Sequence, residues 1–183
     1  MAEHKILIAG GGTGGHLFPA LAIGEEIHHR EPGAKIHYVG SNFGLEAKVF
    51  PVKDVWHTLL PIRGFQRGIS LQSLGRNSLL PVRIIRSMLK IRSLMNEFLP
   101  QVVVGTGGYA SALPLYMASK KNNPLPIILQ EQNSYPGMTT RWFADKAKTI
   151  CVAFNDANTH LDSDTVLTGN PVRQGIADGN PQR

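Results

Sequence analysis

The sequence predicts an α/β fold built on a parallel sheet with helices on both faces. Seven short apolar runs rich in β-branched residues alternate with longer segments of helical pattern. Two of those runs, Lys5 to Ala9 and Gln101 to Val104, lead straight into glycine loops, Gly10 to Gly15 and Gly105 to Gly108. The 183 residues are 42% hydrophobic and 17% charged, the balance of a globular chain long enough to bury one core.

The first unit is strand, loop, helix. Lys5 to Ala9 reads as a buried strand, the glycines as a tight turn, and Pro19 as a first-turn residue of a helix running from about Phe18 to Arg30. Glu31-Pro32-Gly33 ends that helix. A loop without Cβ atoms, followed by a helix N-terminus, suits phosphate or pyrophosphate. Gly10, Gly12 and Gly15 fit G-x-G-x-x-G, the spacing of a dinucleotide site. Such a site should carry an acid at the end of the second strand. Here that strand, Lys35 to Val39, ends in Gly40-Ser41-Asn42, which argues against a nicotinamide-dependent oxidoreductase. His16 is either an ionisable group beside the phosphates or a helix-start residue exposed to water. Glu46, in a short helical piece from Leu45 to Phe50, reads as a first-turn residue favoured by the helix dipole.

The third strand, Val55 to Leu60, opens a stretch of one-sided charge. From Val55 through Asn96 there is no Asp or Glu, while Arg63, Arg67, Arg76, Arg83, Arg86, Lys90 and Arg92 are all basic. The net charge of +6 is therefore local to this stretch, and the remainder is near neutral. Phe65 lies between Arg63 and Arg67, and Ile69, Leu71, Leu74, Leu79 and Leu80 are interleaved with Arg76 before Pro81. Apolar residues among arginines suit the surface of an anionic bilayer; the plainer alternative is a packed helix and loop with a solvated basic rim. From Val82 to Phe98 a helix is expected, with Ile84, Ile85, Met88, Ile91 and Met95 facing the core and Arg83, Arg86 and Lys90 facing out. Nucleic acid ranks below membrane as a partner, since one aromatic stands among the arginines and no nucleic-acid module is visible.

Thr-Gly-Gly followed by a ring occurs at Thr13 to His16 and again at Thr106 to Tyr109, where a helix through Met117 follows. Two such loops in one parallel sheet face one crevice and are expected to share a ligand. After the turn at Lys120 to Pro124, the strand Pro126 to Leu129 carries Gln130-Glu131-Gln132-Asn133 at its end, placed either to bond sugar hydroxyls or to cap a helix. A helix from about Met138 to Lys146 precedes the strand Thr149 to Ala153. Its Cys151 is the only cysteine, so a core thiol and a reducing compartment are expected. The last strand, Thr165 to Leu167, runs into Gly169-Asn170-Pro171. No secretory segment, membrane span or metal-ligand spacing is legible, so synthesis in the cytosol without a metal or other cofactor is expected.

Four stretches together resemble the MurG family of bacterial glycosyltransferases, which add N-acetylglucosamine to lipid I to make lipid II of peptidoglycan. They are Gly11-Gly12-Thr13-Gly14-Gly15-His16-Leu17-Phe18-Pro19-Ala20-Leu21-Ala22, Gly105-Thr106-Gly107-Gly108-Tyr109-Ala110-Ser111, Glu131-Gln132-Asn133, and Gly169-Asn170-Pro171-Val172-Arg173. The resemblance spans Lys5 to Arg173 and covers the family's N-terminal half. It implies the Rossmann-like N-terminal domain of a GT-B enzyme, with residues 1–168 binding the acceptor and the membrane. Residues 169–183 would begin a linker to an absent domain that holds UDP-GlcNAc, so the chain alone is expected to be inactive. It implies inverting transfer, with His16 as base or phosphate ligand. The loops Gly12, Thr13, Gly14, Gly15 and Gly105, Thr106, Gly107, Gly108 would hold the acceptor pyrophosphate, with hydroxyls from Thr13 and Thr106. Tyr109 would pack on the acceptor sugar, and Glu131 and Asn133 would orient it. Peripheral attachment to the cytoplasmic face of the plasma membrane follows from the same resemblance. A non-catalytic subunit that binds acceptor and membrane and recruits a separate enzyme is the alternative.

Overall fold

A computed structural model describes residues 4–64, 78–120 and 124–173. Its centre is one seven-stranded sheet, all parallel, made of β1 (Lys5–Gly10), β2 (Lys35–Ser41), β3 (His57–Leu60), β4 (Val102–Gly107), β5 (Ile127–Glu131), β6 (Thr149–Val152) and β7 (Thr165–Leu167). The spatial order is β3-β2-β1-β4-β5-β6-β7. The chain thus winds outward from β1 in one direction and from β4 in the other, which is the doubly wound arrangement expected from the alternating pattern.

Both faces are covered, as the near-continuous apolar strands require. Side chains alternate along each strand, so Leu7, Ala9, Val103 and Leu129 join one core with Ile91 and Met95 of α3 (Leu80–Phe98) and Leu115 of α4 (Tyr109–Ser119). Ile6, Ile8 and Val104 join the other, with Leu17 and Leu21 of α1 (Gly14–Arg30) and Phe50 of α2 (Glu46–Val52). A short α5 (Met138–Phe143) continues as a 3-10 turn, Ala144–Lys146, and a second 3-10 turn, Asn155–His160, leads towards β7. The Cys151 thiol is half-buried on β6, and burial raises its pKa.

Three expectations are corrected. Helix α1 starts at Gly14 rather than near Phe18, because Thr13 is extended and its carbonyl accepts the amides of His16 and Leu17 at 3.3 and 3.1 Å. Pro19 therefore lies in the second turn, where it leaves the carbonyl of Gly15 without its helical donor. Strand β4 runs on through Gly107, so Gly105 and Thr106 belong to the sheet and not to a loop. On α3 the buried face is Ser87, Ile91, Leu94, Met95 and Phe98, and Ile85 is 58% exposed. The helix is amphipathic, but its apolar residues are too many for one stripe, and the phase is set by the C-terminal two-thirds that meets the sheet.

Candidate functional site

The strand order puts the C-terminal ends of β1 and β4 side by side at the point where the winding reverses, the place where such sheets bind ligands. A cavity of about 520 Å³ opens there. Its lining mixes His16, Gly107, Gly108, Tyr109, Glu131, Thr139 and Thr140 with the apolar side chains of Ile62, Leu80, Ile84, Leu113, Met138 and Trp142, and with Arg63. It is a pocket of mixed polar and apolar lining.

The glycine loops are packed into each other. A methyl group on Gly108 would lie 2.0 Å from the carbonyl oxygen of Gly11, and one on Gly10 would lie 1.8 Å from Thr106 Oγ1. A methyl on Gly12 would meet the Tyr109 ring at 2.7 Å, and one on Gly107 would meet His16 Nδ1 at 2.7 Å. Gly107 and Gly108 also adopt φ of +97° and +77°, the region that glycine alone enters freely. The missing Cβ atoms therefore admit neighbouring protein groups before any ligand. The two Thr-Gly-Gly segments are also out of phase. Thr13 precedes the first residue of α1, whereas Thr106 and Gly107 finish β4 and Gly108 precedes α4.

Glu46 is fully buried and reaches the first loop. Its carboxylate accepts the Gly12 amide at 3.1 and 2.9 Å and the Ser41 amide at 2.7 Å. Glu46 stands in the first turn of α2, as expected, and its carboxylate also anchors the first loop from within. Gly12 is accordingly not free to hold an outside anion. At the helix starts, the amides of Gly14 and Gly15 of α1 and of Tyr109 and Ala110 of α4 have no acceptor among the described residues. Gly12, Thr13, Gly14 and Gly15 do not line the cavity, although Thr13 and Gly15 are exposed beside it in sequence. Gly105 is buried beneath Leu115, and the hydroxyl of buried Thr106 donates to the carbonyl of His16 at 2.8 Å. Neither offers a group to a phosphate, which corrects both assignments.

His16 is half-buried on the first turn of α1. Its Nδ1 lies 3.0 Å from the carbonyl oxygen of Thr106 and 2.9 Å from Gln132 Oε1, and Nε2 has no partner among the described residues. A bulge makes this possible. Ala9 pairs with Gly105 and Gly10 with Gly107, so Thr106 is one residue too many for β1 and its carbonyl turns to the histidine and to Gln132. The sequence pointed to Gln132 only as one of the polar residues ending β5 and not as a partner of His16, because its partners lie 26 and 116 positions away.

Glu131 is also buried and fully engaged. Oε1 accepts the backbone and side-chain N–H of Asn133 at 3.1 and 2.9 Å, and Oε2 accepts the Gly137 amide at 2.9 Å and the Thr140 hydroxyl at 2.6 Å. Four donors saturate a carboxylate. Glu131 brackets the turn before α5 instead of presenting an oxygen to a sugar, and Asn133, exposed and tied to it, lies outside the cavity lining. Tyr109 spans the gap between Gly12 and Gly64, and its hydroxyl reaches Ser41 Oγ at 3.4 Å.

Of the basic and apolar stretch, Phe65, Arg67, Ile69, Leu71, Leu74 and Arg76 lie outside the described residues. Arg63 and Arg83 both stand over the ring of Phe43, at 4.7 and 5.2 Å from its centroid, which the sequence did not suggest. Lys90 donates to the carbonyl of Leu59 at 2.9 Å and Leu80 lines the cavity, so these two are drawn inward. Leu79, Val82, Ile85 and Leu89 form an exposed apolar stripe along α3, with Arg86 and Arg92 beside it. No helix among the described residues is long and apolar enough to cross a membrane, and none of their His, Cys, Asp and Glu side chains group in threes to hold a metal.

Known proteins share this architecture. A protein of Flavobacterium psychrophilum named UDP-N-acetylglucosamine--N-acetylmuramyl-(pentapeptide) pyrophosphoryl-undecaprenol N-acetylglucosamine transferase is 40% identical over 177 residues, covering 96% of this chain and 47% of its own length. The protein of the same name from Bacteroides thetaiotaomicron is 41% identical over 182 residues, covering 99% of this chain and 47% of its own. The crystal structure of MurG from Acinetobacter baumannii matches with a TM-score of 0.70 at 25% identity, over 94% of this chain and 47% of that one. The chain spans about half the length of the curated relatives it matches. The glycosyltransferase family 28 N-terminal domain matches residues 6–152, from β1 through β6, and it is to that family that the chain belongs.

Proposed function

We propose that this chain is the acceptor-binding half of an inverting glycosyltransferase that moves N-acetylglucosamine from UDP-GlcNAc to lipid I, forming lipid II. One observation carries the reading. The cavity at the switch point is lined by His16, whose Nε2 has no partner among the described residues, by Tyr109 at the start of α4, and by apolar side chains that include Leu80 and Ile84 of α3, the helix that carries the exposed stripe. An acceptor with a sugar, a pyrophosphate and a lipid tail has that same mixed character. The names of the 40%-identical relatives supply the identity of donor and acceptor.

In this reading the acceptor pyrophosphate lies on the amides of Gly14, Gly15, Tyr109 and Ala110, with the Thr13 hydroxyl beside them. His16 takes the proton of the attacking sugar hydroxyl. Tyr109, Gly107 and Gly108 shape the floor. UDP-GlcNAc is assigned to the part of the relatives' length that this chain does not span. Residues 1–168 act as one acceptor- and membrane-binding domain, with a linker from residue 169. Leu79, Val82, Ile85, Leu89 and the arginines around them place the domain on the cytoplasmic face of the anionic plasma membrane.

Calorimetric titration with a soluble lipid I analogue and, separately, with UDP-GlcNAc tests the reading. Binding of the analogue with no heat from UDP-GlcNAc is the expected result. Binding of UDP-GlcNAc with none of the analogue would assign the wrong half of the reaction to these loops.

A further inference from the structure

We infer that Gln132 is a positioning residue that fixes the tautomer of His16, leaving the lone pair of the neutral ring on Nε2. The role of the histidine as base rests on the proposed function; the tautomer itself does not. Gln132 Nε2 donates to the carbonyl oxygens of Thr106 and Gln130 at 2.8 and 3.0 Å and to Gln130 Oε1. Three acceptors around that nitrogen decide the orientation of the amide, since a flip would set Oε1 against three oxygens. Oε1 must therefore face His16 Nδ1, at 2.9 Å.

The second neighbour of Nδ1 is the carbonyl oxygen of Thr106, at 3.0 Å. Both groups can only accept, so Nδ1 carries the proton. In the neutral imidazole Nε2 is then the acceptor. When a sugar hydroxyl attacks, its proton passes to Nε2, its oxygen forms the bond to C1, and UDP leaves with the electron pair of the broken bond. The imidazolium so formed donates from Nδ1 to two oxygens already in place, and those bonds gain strength with the charge. The fold supports this with the bulge that frees the Thr106 carbonyl and with Gly107, where a side chain would collide with Nδ1.

The test is nitrogen-15 NMR of the histidine rings in this 183-residue chain, with the His16 signals assigned by their loss in His16→Gln. In the wild type at a pH where the ring is neutral, His16 should show a protonated Nδ1 and a bare Nε2. Gln132→Leu, which leaves Nδ1–H only the Thr106 carbonyl as acceptor, should let part of the ring population move to the Nε2–H tautomer. A wild-type ring protonated on Nε2 would overturn the inference without any variant having to fold, and so would a Gln132→Leu spectrum identical to the wild type. In an active enzyme containing this domain, Gln132→Leu should lower kcat on the order of tenfold or more with little change in KM. If the NMR result holds but His16→Ala keeps full turnover, the tautomer stands and the reading of His16 as base falls.

Discussion

The carboxylate of Glu46 holds the amide of Gly12 with both its oxygens, at 3.1 and 2.9 Å, and so occupies from within the place where a glycine loop would hold a phosphate. Methyl groups on Gly11, Gly40 and Gly44 would each lie 2.3 or 2.4 Å from atoms of Glu46, so these glycines form a box around one buried side chain. Their common purpose is to admit this acid. Any outside anion is left with the helix-start amides further along.

The box predicts a coupling. Glu46→Ala should destabilise the protein by about 1–3 kcal/mol, chiefly through the buried Ser41 amide left unpaired. Gly44→Ala should be destabilising in the wild type, because the atoms nearest its new methyl are those of the Glu46 carboxylate. In the Glu46→Ala background the same change should be close to neutral. Urea denaturation of the four proteins checks this, with an interaction energy of about 1 kcal/mol or more expected. Additive effects would mean that the glycines serve something other than Glu46.

The sheet was legible in the sequence because the buried parallel strands are short apolar runs, several of them ended by glycine or proline, and those signals are local. The site was only half legible. His16, Gly107, Gly108 and Tyr109 stand where glycine-loop reasoning puts them. The roles of Thr106, Glu131 and Gln132 stayed open because a polar residue at a strand end looks the same whether it meets a ligand or another strand. The phase of α3 failed differently: with Val82, Ile84, Ile85, Met88, Leu89 and Ile91 all apolar, periodicity alone admits two faces, and the contact with the sheet decides.

Ser87 offers a gain in stability. It is fully buried on α3, and its hydroxyl has no hydrogen-bond partner among the described residues. Ser87→Ala removes the cost of an unpaired polar group and adds a better helix former, so stability should rise by about 1 kcal/mol. For a chain of this size that is roughly 2–4 °C in the thermal midpoint. An unchanged or lower midpoint would mean that the hydroxyl finds a partner in solution.

His37 should make the protein acid-sensitive. Burial, followed by the nearby His57, lowers its pKa to about 4, and its ring packs on Phe98 while Nε2 lies 2.9 Å from Thr58 Oγ1. Between about pH 6.5 and 4 the unfolded chain binds the proton that the folded one refuses, so stability rises with pH in that window. The contribution is intact above pH 6.5 and is lost as pH falls towards 4. Denaturation midpoints measured across that range should show a shallower slope for His37→Phe, which keeps a ring against Phe98. Equal slopes would place the acid sensitivity elsewhere.

The exposed stripe on α3 allows the proposed membrane binding to be tested apart from folding. Ile85 and Leu89 are 58% and 63% exposed, so replacing both with Glu leaves the core untouched, and stability should stay within about 0.5 kcal/mol for each. The same pair puts two negative charges into a face flanked by Arg86 and Arg92, where each basic residue is worth about 1 kcal/mol against an anionic leaflet. Flotation with vesicles rich in anionic lipid should lose the double variant and keep the wild type. The wild type should also detach as salt rises, since charges outside the core are screened within about 8 Å at physiological ionic strength. Wild-type binding that ignores both salt and the Ile85 and Leu89 changes would remove α3 from the membrane surface.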